Sequence, residues 1–432
     1  PLEMELDLSA IPLPEIADRE AIESGLRECE SEQQRLERTL DALAVNAPAM
    51  QLYASRLDAE LTYVRALEGM GSDKTLAYLT GYVPESDTDS LLAAAREHGW
   101  AARLEEPADD DAKVPTKLVL PAWVRPIRLV FQGLGILPGY REIDISACFL
   151  LFFSLFFAIL IGDAGYGFVF LLLTLAARAK FRDAPAQPFW LFGALSMATI
   201  VWGILTGTYF AISLPDGSLL KAIPSVSYLG NPQNVQRLCF LIGAIHLTIA
   251  HSWNALVIGR KLKALGQLAW IPMLWGNYFM ALVMVLGQPK NPAMPWLYTA
   301  GFLGVLLFTA PQKNPLRMLG SGVGTLLLNV VNSFVDIVSY VRLFAAGAAT
   351  VKVAESFNNL ASGFDSMPPV VAGLIGALIL LLGHSFNMLL GAMAVMVHGV
   401  RLNVLEFAGH VGIEFTGVMY APLKAHDAET VE

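Results

Sequence analysis

From about Ile143 almost to its end the chain is apolar, in stretches as long as a bilayer is thick. An α-helix rises about 1.5 Å per residue, so about 20 apolar residues cross a hydrocarbon core of about 30 Å. Inside that core every backbone N–H and C=O must be satisfied within the protein, which leaves helices or a closed barrel. Continuous apolar runs of this length read as helices. The sequence therefore predicts a mainly α, polytopic membrane protein, and 55% hydrophobic against 16% charged residues in 432 agree with it. Candidate spans are 143–162, 164–178, 188–213, 236–258, 265–287, 294–310, 320–361 and 370–408. The first two can also be joined as one long helix, and loop charge separates the readings. With the N-terminal region cytoplasmic and two spans counted, RAKFR (178–182), RKLK (260–263), Lys313 and Arg317 fall inside, and only Lys221, Arg237 and Lys290 fall outside. Eight spans with both termini cytoplasmic is the expected arrangement. The last two contain no proline between Pro315 and Pro368 or between Pro369 and Pro422. Helices of about 40 residues run about 60 Å, so strong tilt, roughly 60°, is expected of them.

The N-terminal third has a different character. Residues 1–117 hold most of the carboxylates behind the net charge of −9. No basic patch with interleaved aromatics occurs, which argues against nucleic-acid binding. Cys29, Cys148 and Cys239 lie far apart with no CxxC, so neither a disulfide framework nor a metal site is expected. GSDKT at 71–75 lacks the first glycine of a phosphate loop, and no cofactor is expected. The chain has no signal peptide and opens at Pro1, which points to a fragment or a processed start.

Residues 18–70 read as helix, with Leu36, Leu40, Leu43, Ala47, Met50, Ala54, Leu57, Leu61 and Val64 at coiled-coil spacing and Pro48 expected to kink it. Such a stripe needs cover, either from a second strand missing here or from a small domain of its own. TLAYLTGYVP reads as a strand, SDTDSLLAAAREHGW as a capped helix and WAARLEEP as a second strand, together a small α/β unit. An acidic linker, EEPADDDAKVPTKL, then leads past Pro121, Pro126 and Pro138 toward the membrane. The expected division is 1–74 coiled-coil arm, 75–142 α/β unit and linker, and 143–432 membrane domain.

Within the seventh stretch stands Arg342. A fixed cation at membrane depth costs about 3 kcal/mol on insertion scales and roughly 10 or more in simulations. Arginine does not give up its proton, so it suits a permanent positive barrier better than a relay. At about 100° per residue, Asn332, Asp336, Ser339, Ala346, Ala349 and Thr350 share one face, with Arg342 at its edge. That face is polar on one side of the arginine and small on the other. A purely structural alternative pairs Asp336 with Arg342. On the last stretch His384, Asn387, Gly391, Ala394, His398 and Arg401 form a second stripe, with Asn403 and Glu406 just beyond it. Two polar stripes on neighbouring helices can line two ion half-channels. His398 is placed to pass protons or to hydrogen-bond the Arg401 guanidinium, or simply to pack. Asp163 marks either the wet end of a hairpin or a transport group. Glu355 either pairs with Lys352 or lies on an exit path, and His246 and His251 read as packing residues.

The runs SYVRLFAAGAA (339–349), GHSFNMLLGAMAVMVHGVRLNVLEF (383–407), GDAGYG (162–167), LTGYVP (79–84), PTKL (115–118) and YREID (140–144) occur in an order similar to that of the a subunit of rotary V-type and A-type ATPases, subunit I in bacteria. The resemblance covers essentially the whole chain. Thr350 stands where many of that family have a histidine, and the tail GHVGIEFTGVMYAPL (409–423) departs from the common ending. What the resemblance implies is a stator subunit, not catalytic by itself, in a prokaryotic plasma membrane. Its partners would be the proteolipid c-ring, peripheral-stalk subunits of E and G type, a central-stalk cap subunit of d or C type, the V1/A1 catalytic sector and the bilayer. It implies that Arg342 discharges ring carboxylates and couples H⁺ or Na⁺ movement to ATP synthesis or hydrolysis. Arg401 would support that ion pair, with His398, Glu406, Asp336, Ser339, Asn387 and Glu355 as further ion-path candidates. A reading from another class, a secondary cation/proton antiporter, finds no inverted repeat in the sequence.

Overall fold

The computed structural model describes residues 19–73, 75–108, 111, 113–212, 224–308, 315–364 and 367–422, with backbone alone for 19–21 and 315–325. Lys221 and Lys313, used above in the loop-charge argument, lie outside these residues, as does the side chain of Arg317. The chain forms two compact units, of which the second is Arg103–Tyr420.

In the first unit, α1 (Arg19–Ala44) and α2 (Ala47–Glu68) are interrupted at Val45 and Asn46. Pro48 sits in the first turn of α2, the one place in a helix where its missing N–H costs nothing. Leu36, Leu40, Leu43, Met50, Leu57, Leu61 and Val64 are all exposed, so the apolar seam is uncovered among the described residues. β1 (Gly71–Asp73) and β2 (Leu76–Tyr78) form an antiparallel hairpin, and α3 (Thr88–His98) ends at Gly99 in the left-handed conformation. The second strand expected over WAARLEEP is not formed: residues 100–107 are irregular. A strand exists only with a ladder partner, and in the described residues β2 takes its partner from the hairpin instead.

The second unit is built almost entirely of helices: α4 (Ile127–Leu134), α5 (Ser146–Ile161), α6 (Ala164–Lys180), α7 (Ala186–Thr206), α8 (Pro224–Leu229), α9 (Pro232–Ile258), α10 (Leu262–Leu286), α11 (Met294–Phe308), α12 (Pro315–Ser339), α13 (Val341–Ala361), α14 (Pro369–Ala394) and α15 (Ala408–Val411). Two π-helical turns, Val395–Gly399 and Leu402–Phe407, carry α14 into α15. A short parallel pair, β3 (Pro115–Thr116) with β4 (Val418–Met419), ties the entry of the membrane domain to its tail. Apolar helices occupy each of the eight stretches expected from sequence. Among the described residues, five are long and apolar enough to cross a bilayer unaided, the last two running over Leu326–Ala361 and Pro369–Val411. The protein is a mainly α, polytopic membrane protein.

α5 lies at the centre, packed by α7, α13 and α14. Phe149, Phe152, Phe153, Phe156, Ile159, Leu160 and Ile161 are all buried, so its surface is covered nearly all round. Its end is set by Gly162, whose φ of +71° caps the helix before the chain bends by 120° into α6. The wet hairpin end expected at Asp163 is corrected here. Asp163 is 1% exposed, accepts from the Gly165 and Tyr166 N–H groups at the start of α6 (2.7 and 3.3 Å) and from Ala211 N–H (2.9 Å). It is a buried N-cap, and the free N–H groups of a helix start are what a carboxylate satisfies there. Gly347 brings α13 against the last turn of α5 so closely that a Cβ would collide with the Ile159 carbonyl. Gly347→Val is expected to destabilise the membrane domain by about 1–3 kcal/mol, an overpacking cost. Thermal unfolding in detergent measures it; an unchanged midpoint would show the two helices free to separate.

Candidate functional site: two arginines around a buried carboxylate

Arg342 is the second residue of α13 and lies at a local break. Tyr340 N–H bonds Ile337 O, and Leu343 N–H bonds Tyr340 O, both three residues back (3.2 and 3.1 Å). This tighter turn leaves the Ser339 carbonyl without its usual donor, and Arg342 Nε fills the vacancy at 3.0 Å. Tyr340, fully buried, holds the break in place through a 2.8 Å bond to His246 Nδ1. His246 is stacked between Phe152 and Phe407, which agrees with a packing role.

The guanidinium reaches across to the last helix, where Nη2 donates to Glu406 Oε1 at 2.6 Å. Arg401 Nε lies 3.9 Å from the same oxygen. Glu406 is 5% exposed, Arg342 24% and Arg401 55%, so the carboxylate is walled in while both cations keep an open side. In an α-helix residues five apart point about 140° away from each other. The π turn over Leu402–Phe407, with its i→i+5 pattern, brings Glu406 round to Arg401. This is why an α-helical projection set Glu406 beyond the stripe. Beside Arg342 the exposed residues are Ala345 and Ala349, a small-sided flank. Thr350, placed on that flank by projection, turns inward instead. Its hydroxyl donates to Leu160 O and Ala346 O (3.2 and 3.0 Å), giving a buried hydroxyl its acceptors.

Asp336 does not pair with Arg342. Its Oδ2 lies 3.0 Å from His410 Nε2, His410 Nδ1 is 2.9 Å from His251 Nε2, and His251 Nδ1 is 2.8 Å from Gln267 Oε1. With the amide oxygen accepting from His251, that ring must accept from His410, and one proton is left between His410 and Asp336. His251 is thus a link in a series and not only a packing residue. His410 went unnoticed in the sequence, since it lies past the π turns, where a 3.6-residue projection no longer holds.

A second series lies on the other side of Arg342 along the chain. Asn358 Nδ2 donates to Phe210 O (2.7 Å), and its Oδ1 accepts from His384 Nε2 (3.0 Å). Tyr166 OH then donates to His384 Nδ1 (2.7 Å) and accepts from Asn387 Nδ2 (2.9 Å), which also donates to Thr350 O (2.8 Å). Asn387 is 1% exposed, and both of these bonds come from its Nδ2. Tyr166 and Asn358 carried no sequence signal.

Of the remaining candidates, Ser339 belongs to the Arg342 site, whereas His398 and Glu355 bond neither Arg342 nor the two series. Ser339 Oγ donates to Asp336 O (2.6 Å), and its carbonyl holds Arg342 as described. Among the described residues His398 makes no hydrogen bond, so the bond to a guanidinium is absent; the π turns on either side of Arg401 change the spacing it relied on. Glu355 pairs with Lys352 at 2.6 Å on an exposed surface. No cluster suited to a metal ion occurs among the described residues.

No protein-family model matches the chain. It is similar to V-type ATP synthase subunit I of Borreliella burgdorferi, 33% identical over 393 residues, 85% of this chain and 63% of that protein. It is also similar to V-type ATP synthase subunit I 1 of Treponema pallidum, 30% identical over 454 aligned positions, 98% of this chain and 72% of the relative. The chain belongs to the V-type/A-type ATP synthase subunit I family. A-type ATP synthase subunit I of Methanocaldococcus jannaschii is a more distant member, 24% identical over 94% of this chain. The chain spans about two thirds of the length of these subunit I relatives. Within this family member the paired arginines, the buried glutamate and the two polar series are the groups with chemistry to offer.

Proposed function

We propose that this subunit I is the ion-conducting stator of a rotary ATPase, with Arg342 meeting the membrane carboxylates of a turning proteolipid ring. The single observation that supports it most is the setting of Arg342: a guanidinium fixed by Ser339 and Glu406 yet open on one side, next to Ala345 and Ala349. Small residues let another helix come close. A ring carboxylate brought there is stabilised in its charged form and releases its ion. The permanent cation also separates two access paths, for which the Asp336–His410–His251–Gln267 and Asn358–His384–Tyr166–Asn387 series are the candidates. Arg401 adds positive charge to the same site. His398 and Glu355 are the weaker members of the set. The division into coiled-coil arm, α/β unit and membrane domain suits a stator, since the seam of α1 and α2, uncovered among the described residues, needs a partner strand. The partners, in this reading, are the ring, the two stalks and the catalytic sector. The subunit is non-catalytic by itself and sits in a prokaryotic plasma membrane with both termini cytoplasmic.

The test is reconstitution. The purified chain in vesicles should carry no cation flux under an imposed gradient, and flux should appear when its proteolipid ring is added. An antiporter would exchange cations alone, and that result ends the stator reading.

A further inference from the structure

We propose that Glu406 is a resident counter-ion that exchanges arginines, holding Arg342 while no ring carboxylate is present and passing to Arg401 when one arrives. This rests on the rotary reading, which by itself requires only Arg342. Burial comes first. Glu406 is 5% exposed behind an arginine that is 24% exposed, so a second anion can reach Arg342 but not its present partner. The donors agree. Of the five N–H groups of a guanidinium, Nε serves Ser339 O and one on Nη2 serves Glu406, which leaves three for an incoming carboxylate.

The hold on Glu406 is one-handed. A fixed clamp between arginine and carboxylate uses both oxygens in a bidentate fork. Here Oε2 is buried with no hydrogen-bond partner among the described residues, so the pair is made for exchange and not for rigidity. The second arginine is already in place. Arg401 Nε lies 3.9 Å from Oε1, close enough for attraction and too far for a hydrogen bond, and a shift of less than about 1.2 Å would close it. Glu406 is then paired in both states, by Arg342 at rest and by Arg401 while Arg342 engages the ring. Charge is balanced as well. Two guanidinium groups and one carboxylate leave one positive charge over, which a single ring carboxylate cancels. A buried carboxylate that lost its only cation would carry a heavy penalty, and the exchange avoids it. The π turn earns its place here, since an α-helical turn would point Arg401 away from Glu406.

Electron cryo-microscopy of the intact rotary complex decides the point. In classes with a ring carboxylate on Arg342, Glu406 is expected within about 3.2 Å of Arg401 and released from Arg342. Glu406 still bonded to Arg342 in those classes overturns the exchange. The functional arm uses assembled complexes in vesicles. Glu406→Gln should lower ATP-driven ion uptake by about tenfold, with longer dwells in single-molecule rotation, and Glu406→Asp should stay within about threefold of the natural protein. Uptake by Glu406→Gln at the natural rate refutes the proposal. If Glu406→Gln does not assemble, the structural arm on the natural complex still gives the answer. Normal pumping by Arg342→Lys would remove the rotary reading itself, whereas an inactive Arg342→Lys beside a normal Glu406→Gln removes only the exchange.

Discussion

Arg342→Lys is expected to reduce coupled ion transport to below about 1% of the natural rate while the complex still assembles. Lysine keeps the charge, so a role that needs only a positive potential would survive the change. It does not keep the geometry. The guanidinium makes bonds in two directions, Nε to the Ser339 carbonyl and Nη2 to Glu406, and still presents free donors outward. A lysine ammonium is a compact point on a flexible stem and is able to lose its proton in a poorly hydrated site. It can serve the carbonyl, the glutamate or a ring carboxylate, but it has no planar fork to serve all three. ATP-driven uptake into vesicles measures transport, and co-purification of the other subunits measures assembly. Uptake near the natural rate in an assembled Arg342→Lys complex would end the role assigned to this side chain.

The second large effect is expected at His410. In His410→Phe the ring volume is roughly kept, but the link between Asp336 and His251 is lost, and transport should fall by about tenfold or more with assembly unchanged. His410 is the only described group that touches both Asp336 and His251, at 3.0 and 2.9 Å, and phenylalanine has no nitrogen to receive or release a proton. Fold should be preserved, because the neighbouring tie from Asn254 Nδ2 goes to the His410 backbone carbonyl (2.9 Å) and not to its ring. Transport at the natural rate in His410→Phe would reduce the series to a set of structural ties. Loss of assembly would show that the same bonds hold α9, α12 and α15 together. The prediction therefore separates passage from packing.

How the candidate site relates to sequence is clearest on the last two helices. Arg342 and Arg401 were found from composition alone, because a charge in an apolar run of membrane length stands out whatever surrounds it. Helical projection singled out Asp336 and Asn387 as well, both of which precede the local breaks in α-helical geometry, and the structure gives each a polar partner on another helix. Beyond Val395 the projection drifts. Two π turns insert extra residues into the repeat, and Glu406 and His410 come to positions that a 3.6-residue period does not give. Pairing across helices was out of reach for another reason. Asp336 lies six residues from Arg342, but Glu406, 64 residues away, is the carboxylate that meets it. One-dimensional spacing ranks the near acid first, and packing chooses the far one.

The sequence by itself determined the architecture: hydrophobic length settles which segments can lie in a membrane, and that condition is local to each segment. It also determined that two arginines would stand within apolar stretches and that the long apolar seam of α1 and α2 would need cover. The tertiary structure alone decided who partners whom. The tightened turn at Tyr340 and the π turns around Arg401 each move a helix face by a fraction of a turn. Hydrogen bonds reach only about 3 Å, so a shift of that size changes the partner, while hydrophobic burial tolerates it and keeps helices over the apolar stretches.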